Sequence, residues 1–338
     1  MECIPTGIRH LFPADLRRYT PWEDSHDHRI CNWISPWAEG EAIDAGLVSA
    51  PFSSGTARPT ASWAAASAIR DSFVENTTYS PDYDVDIQDL RVRDLGDIRI
   101  TSTDVWGSLD HIEEALTDLL RLAPSFVPIV IGGDHSISAP TVRAFCRTRP
   151  EQRVGLIHFD AHNDVRAFEE GGPLNGTPIR GIIETCPNLA GSNIAQVGIH
   201  GFMNSSRYKR WAEEHGITIF PARQVRKRGI DAVLADAIEI ASRGTDAIYL
   251  SVDLDSLSQV YCLGASGSIT PDGMEATDLL DAVFELGRHP KVGMMDLVEM
   301  NPTVDFRNLT ARTAGTIILT FLAGLLLRLK GADGYRGY

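Results

Sequence analysis

The sequence predicts an α/β fold: a three-layer sandwich whose mostly parallel central sheet is covered by helices on both faces. Two observations carry this expectation. From Ala45 onward, short apolar runs alternate with amphipathic stretches, the pattern of strands returning through covering helices. The chain has 338 residues, 43% hydrophobic and 22% charged, which suits one large domain with a substantial core.

The first 45 residues are rich in Trp, Pro, Asp and His without a sustained period, and read as an irregular N-terminal extension. One domain is then expected over residues 46–330. Its strand-like runs are GLVSAP from Gly46, FVPIVIGG from Phe126, VGLIHFD from Val154, NIAQVGI from Asn193, GITIF from Gly216, AIYLSVDLD from Ala247 and VGMMDLVEM from Val292. Helical patterns lie between them, in SWAAASAIRDSF from Ser62, near 139–146, in DAVLADAIEIASR from Asp231 and in ATDLLDAVFELG from Ala276. The segment from Ala314 to Leu329 is almost wholly apolar but shorter than the roughly 20 residues that span a bilayer. It reads as a helix buried against the sheet or a subunit contact, so no membrane partner is expected. Residues 331–338 read as a frayed tail.

Charge and cysteine usage exclude several classes. With 31 Lys and Arg against 45 Asp and Glu, the net charge of -14 repels nucleic acid unless a local basic patch intervenes. The run from Arg223 to Arg228 is too short for that and reads as a solvated loop or helix start. Five scattered cysteines without a C-x-x-C pair indicate neither a disulfide framework nor a thiolate zinc site. Prolines and charges between Met1 and Leu16 stand where a signal peptide needs an apolar stretch, so a cytoplasmic protein is expected.

In open parallel sheets ligands sit at the carboxyl ends of strands, and three of these ends carry chemistry. After FVPIVIGG comes Asp134-His135, where the glycine pair permits a tight turn that sets the imidazole at the strand tip. After VGLIHF come Asp160, His162 and Asp164, which share one side if the chain stays extended. The third end supplies Asp253 and Asp255, two carboxylates that would repel each other without a cation. Each segment alone fits an ordinary hydrogen-bonded turn. Together, four carboxylates and two neutral imidazoles carry four negative charges, which matches two divalent ions. Without a sulfur ligand the expectation is Mn²⁺ first, with Zn²⁺, Ni²⁺, Co²⁺ or Fe²⁺ as alternatives.

The motifs Gly132-Gly-Asp-His-Ser136, Phe159-Asp-Ala-His-Asn-Asp164 and Ser251-Val-Asp-Leu-Asp255, in this order, resemble those of the ureohydrolase family, which includes arginase, agmatinase, guanidinobutyrase and formimidoylglutamase. The similarity runs from about Leu47 to Leu329. It implies an arginase-like three-layer fold, two Mn²⁺ ions and a homo-oligomer, a trimer or hexamer. By the same resemblance His135 would bind one metal, His162 the other, and Asp160 and Asp253 both. Asp164 would complete the first site and Asp255 the second. Glu299, in Met295-Asp-Leu-Val-Glu-Met-Asn-Pro302, would approach the amidine or guanidinium carbon, and Glu299 and Asp164 are the expected catalytic residues.

Within the family the nearest branch is formimidoylglutamase, on the evidence of Asp164-Val-Arg166, Glu170 to Pro178, Gly198-Ile with Asn204-Ser, and Pro302 to Arg307. Arginase-like members carry a histidine where this chain has Asn175. Arg166, Asn175 and Asn204 are the expected substrate contacts, because a guanidinium suits the carboxylates of N-formimidoyl-L-glutamate. Arg180, Arg207 and Arg312 are further candidates. The expected reaction yields glutamate and formamide. Alternatives are a guanidino-acid hydrolase releasing urea, of guanidinobutyrase or agmatinase type, and a metal-binding homologue without turnover. Two departures bear on this choice: the loop Ser258 to Ser266 lacks the family's Asp and Ala-Pro-Gly turn, and Ala64 to Arg70 replaces an early glycine-proline segment at a pocket rim or subunit contact.

Overall fold

A computed structural model describes residues 10–12, 26–56, 58–123, 125–267 and 270–331. The expected tail therefore lies outside the described residues from residue 332 onward. In chain order the strands are β1 (Leu11–Phe12), β2 (Ser35–Pro36), β3 (Ala45–Ala50), β4 (Tyr79–Ser80), β5 (Val85–Asp86), β6 (Val92–Ile98), β7 (Val127–Gly132), β8 (Val154–Phe159), β9 (Leu189–Ile199), β10 (Thr218–Pro221), β11 (Ala247–Asp253) and β12 (Val292–Val298). Ten of them form one sheet in the order β1-β6-β3-β7-β12-β11-β8-β9-β10, with β2 also on β6, while β4 and β5 pair separately. Among the described residues β1 alone within the large sheet runs antiparallel to its neighbour.

The central strands are buried on both faces, which is why they read as unbroken apolar runs. Alternate residues feed two different cores. Ile129 and Ile131 join Ile157, Phe159, Leu250 and Val252 on one face, whereas Val130 joins Leu156, Tyr249 and Met294 on the other. The first core takes in residues of α2 (Ala65–Ser72), α8 (Ile230–Ser242), α9 (Ala276–Arg288) and α10 (Leu309–Leu329). The second takes in α3 (Val105–Leu122) and α4 (Ser138–Arg147). These are the three expected layers.

The apolar C-terminal segment is a 21-residue helix that begins at Leu309, five residues before the apolar run itself starts at Ala314. It is long and apolar enough to cross a membrane by composition, yet 72% of its most apolar window is buried within the protein. Two glycines explain how: a Cβ on Gly287 would stand 2.3 Å from the carbonyl oxygen of Phe321, and one on Gly324 would stand 2.1 Å from that of Phe284. α9 and α10 thus cross backbone to backbone, which lengthens the buried seam.

Strand β6 and helix α3 escape the apolar pattern. β6 reads VRDLGDI, and its charges hide a buried strand because Asp94 receives Nε and Nη2 of Arg70 at 2.6 and 2.7 Å. Asp97 takes the third contact, from Nη1 of Arg70 at 2.7 Å, so two carboxylates of this strand share one buried guanidinium. Ala64 to Arg70 therefore serves α2 and this ion pair. The expectation that it shapes the pocket rim is corrected, since none of it lines the cavity described below.

Candidate metal centre and substrate cavity

Strand register brings the chemistry to one edge. Consecutive strands β7 and β8 are separated in the sheet by β12 and β11, so the crevice opens where the order reverses. Ile131 pairs with Leu297, Asp253 with Val298, and Val252 with Phe159, which sets the four carboxyl ends level. His135, Asp160, Asp253 and Glu299 follow or end those strands.

Local turns then aim the side chains. At Gly133 a Cβ would lie 1.6 Å from the Phe52 carbonyl oxygen, so only glycine allows the approach that turns the chain toward His135. Asp134 holds that turn by accepting hydrogen bonds from the backbone of Ser136 at 3.0 Å and Gly55 at 2.8 Å. The segment after β8 is not extended: Asp160 Oδ1 accepts the backbone N–H of His162 at 2.5 Å, and Asp164 adopts a φ of 53°. Asp160, His162 and Asp164 therefore do not share one side as an extended chain would place them, because a turn divides them between two clusters. Asp253 likewise caps a turn by accepting from the backbone of Asp255 at 2.7 Å.

In the first cluster, Nδ1 of His135 stands 3.1 Å from Asp160 Oδ2, 3.0 Å from Asp164 Oδ2 and 3.1 Å from Asp253 Oδ2. In the second, Nδ1 of His162 stands 3.0 Å from Asp255 Oδ2 and 3.3 Å from Asp160 Oδ1. Asp160 thus turns one oxygen to each cluster. All six sequence candidates are brought together.

The donor set fits cations. His135 Nδ1 and Asp160 Oδ2 are buried without a well-aligned hydrogen bond despite their short separations. Neighbouring donors around a small octahedral cation with bonds of about 2.1 Å stand about 3 Å apart, the spacing seen here. Burial pushes the Asp253 carboxyl well up, and the charges of Asp255 and Asp160 push it further. Burial alone would lower the His135 imidazole, but Asp160, Asp164 and Asp253 hold it well above its ordinary range. Such a crowd of buried anions needs positive charge among them.

Residues outside the sequence motifs orient this cluster. Nε2 of His135 lies 3.2 Å from Ser251 Oγ, which donates to Asp296 Oδ1 at 2.7 Å. The serine proton is therefore committed and Nε2 donates to the serine oxygen, which leaves Nδ1 as the nitrogen that would face a cation. His158 was missed because it sits inside an apolar run. It is fully buried, with Nε2 at 2.8 Å from Asp160 Oδ2 and Nδ1 at 3.1 Å from Gln196 Nε2. Gln196 in turn exchanges hydrogen bonds of 2.8 Å with Asn163. A histidine interrupting VGLIHF two residues before a carboxylate was the available signal.

Glu299, at a φ of 65°, folds back over the first cluster. Its Oε1 accepts from the backbone of His135 at 2.8 Å and from Asn175 Nδ2 at 3.1 Å, and its Oε2 accepts from Ser266 Oγ. Burial pushes its carboxyl up to about 7, helped by the charges of Asp134 and Asp255. Ser266 belongs to the divergent loop, so that loop supplies a partner to Glu299 despite its altered sequence.

A cavity of about 490 Å³ opens over these groups, lined by Asp164, Asp253, Asp255, Glu299, Asn175 and Arg166 among others. Arg166 lies with its guanidinium carbon 5.4 Å from the ring centre of Tyr208, which also lines the cavity. Asn204 reaches the wall too, but its amide accepts from the backbone of Asn163 at 2.9 Å and donates to the Ala161 carbonyl at 2.7 Å. These two hydrogen bonds brace the metal loop from the cavity wall. Arg180, Arg207 and Arg312 pair with Glu184, Glu170 and Glu75, and none lines the cavity.

Comparison with known proteins agrees with this geometry. Residues 43–324 match the model of the arginase family. The chain is 40% identical to formimidoylglutamase of Halalkalibacterium halodurans over 321 residues, 95% of this chain and 99% of that relative. Its fold superimposes on the crystal structure of formimidoylglutamase from Bacillus subtilis with a TM-score of 0.86 at 33% identity, covering 91% of this chain and 95% of the other. Trypanosoma cruzi formiminoglutamase with Mn²⁺ gives a TM-score of 0.80 at 28% identity, covering 89% and 99%. The chain belongs to the arginase family.

Proposed function

We propose that this protein hydrolyses N-formimidoyl-L-glutamate to L-glutamate and formamide, using two Mn²⁺ ions. The observation that carries the reading is the polarity of one cavity: buried Glu299 beside the carboxylate cluster at its depth, and exposed Arg166 on its wall. A cationic amidine at one end of the substrate and a carboxylate at the other match that gradient.

His135, Asp160, Asp164 and Asp253 would hold one ion, and His162, Asp160, Asp253 and Asp255 the other. When bound, two such cations supply Lewis acidity that makes water a better nucleophile near neutral pH. Glu299 as carboxylate holds the =NH₂⁺ end and fixes the formimino carbon, while Asn175 and Ser266 fix Glu299. Asp164 lines the cavity and is placed to pass a proton from the attacking water to the departing α-nitrogen of glutamate. Arg166 receives a carboxylate, steadied by the Tyr208 ring. The net change adds one water across the C–N bond.

A homo-oligomer, trimer or hexamer, in the cytoplasm completes the proposal. Exposed Val304, Phe306 and Leu309 offer apolar surface for a subunit contact. The test is a panel of amidines and guanidino acids assayed with Mn²⁺, scoring formamide, urea and ammonia separately. Formamide from N-formimidoyl-L-glutamate is expected. Urea from a guanidino acid would replace this reading with a guanidino-acid hydrolase, and bound metal without any turnover would replace it with a binding homologue.

A further inference from the structure

We propose that Arg58 is a second anion-recognising residue of the cavity, which together with Arg166 fits the site to a substrate bearing two carboxylates. The inference rests on the amidine-hydrolase reading above. Arg58 lines the same cavity as Arg166, Asn175 and Glu299.

Its place there is built by the backbone. The N–H of Asn175 donates to the carbonyl of Gly55 at 2.6 Å, and the N–H of Arg166 donates to the carbonyl of Gly176 at 2.8 Å. Two adjacent residues, Asn175 and Gly176, therefore pin both arginine-bearing segments. Gly55 is tied from its other side as well, since its N–H donates to buried Asp134 at 2.8 Å. A Cβ on Gly55 would fall 2.2 Å from Ser136 Oγ, so the segment seats against the turn that carries His135. The hydroxyl of Thr56 then closes a turn onto the carbonyl of Arg58.

Charge gives the placement its meaning. Among the described residues neither Arg58 nor Arg166 forms an ion pair with a carboxylate, although Glu170 stands on the same wall; Glu170 instead accepts the Tyr208 hydroxyl at 2.8 Å. Glu299 at the depth of the cavity suits the cationic amidine, so the two carboxylates of the substrate need positive partners at the rim, which the guanidiniums supply. In N-formimidoyl-L-glutamate one carboxylate sits on the carbon that bears the reacting nitrogen, and the other lies at the far end of the side chain. Two carboxylates at different reach call for two cations from different segments. Pinned loops lower the ordering cost of presenting them.

The test compares wild type, Arg58→Gln and Arg58→Lys on N-formimidoyl-L-glutamate and N-formimidoyl-L-glutamine, which differ only in the charge of the distal group. Arg58→Gln should raise KM for the glutamate derivative by about tenfold to a hundredfold, as expected for loss of a charge-assisted pair. The effect should fall on KM more than on kcat, wild-type preference for glutamate over glutamine should shrink with it, and Arg58→Lys should recover part of the loss. If wild type releases formamide but Arg58→Gln keeps both KM and preference, the inference about Arg58 fails alone. If wild type releases no formamide from either compound, the underlying reading fails and takes this inference with it.

Discussion

Asn175 donates its side-chain amide to Oε1 of Glu299 at 3.1 Å, from the position where arginase-like relatives carry a histidine. An amide cannot shuttle protons at neutral pH, but it can hold a carboxylate in one orientation. Asn175→Ala removes one hydrogen bond worth about 1 kcal/mol, so kcat/KM for the amidine substrate should fall about fivefold with metal content unchanged. Steady-state assays on a metal-quantified preparation decide this. A loss of metal, or no kinetic change, would remove Asn175 from the role of positioning Glu299.

Glu299 itself carries a stronger expectation. Glu299→Gln keeps the shape and removes the charge opposite the developing cation, and should lower kcat/KM by about a hundredfold or more. Two equivalents of metal should remain bound, because Glu299 is outside both proposed ligand sets. Measuring formamide release and metal content on one sample separates these effects. Near-normal turnover in the variant would eliminate the proposed contact with the =NH₂⁺ group.

Much of this arrangement was legible in the sequence for a simple reason. Strands buried on both faces are unbroken apolar runs, so polar residues at their ends, such as Asp160 and Asp253, stand out. Polar residues within or beside the runs do not. Asp94 hid β6 because its charge is neutralised by Arg70, distant in sequence and adjacent in space. The amide of Asn204 also serves the backbone of residues 161 and 163, a use no spacing reveals. The division of Asp160, His162 and Asp164 between two clusters goes with the Asp160–His162 turn and a positive φ at Asp164, a conformation too uncommon even for aspartate to be read from the sequence.

His158 provides the third prediction. A histidine that holds a ligand carboxylate from behind tunes its orientation, and removing such a partner costs about 10-fold to 100-fold in metal affinity. His158→Asn should therefore weaken Mn²⁺ binding to the chelated and dialysed protein by that factor. Titration calorimetry reads the affinity directly, and circular dichroism checks that the buried substitution leaves the fold intact. An unchanged affinity in a folded variant would make His158 a packing residue only.

The last prediction concerns stability against pH. Burial lifts the Glu299 carboxyl to about 7 from 4.5 and also raises Asp253 and Asp164, while His135 is held well above 6.5 by the carboxylates around it despite burial. All four shifts have the same sign: the folded, metal-free protein keeps protons that the unfolded chain has released, so its stability falls as pH rises from about 4.5 through about 7. Asp160 runs the other way, since His158, His135 and His162 outweigh burial and hold it well below 3.8, and its contribution is lost only in stronger acid. Mn²⁺ binding replaces the retained protons with fixed positive charge and becomes tighter as they leave. The rise in Tm produced by a fixed excess of Mn²⁺ should therefore grow between about pH 5.5 and about pH 8. Thermal unfolding of chelated protein with and without Mn²⁺ across that range reads the difference. A Tm gain that is flat or shrinks with pH would show that these buried groups do not exchange protons for the cation.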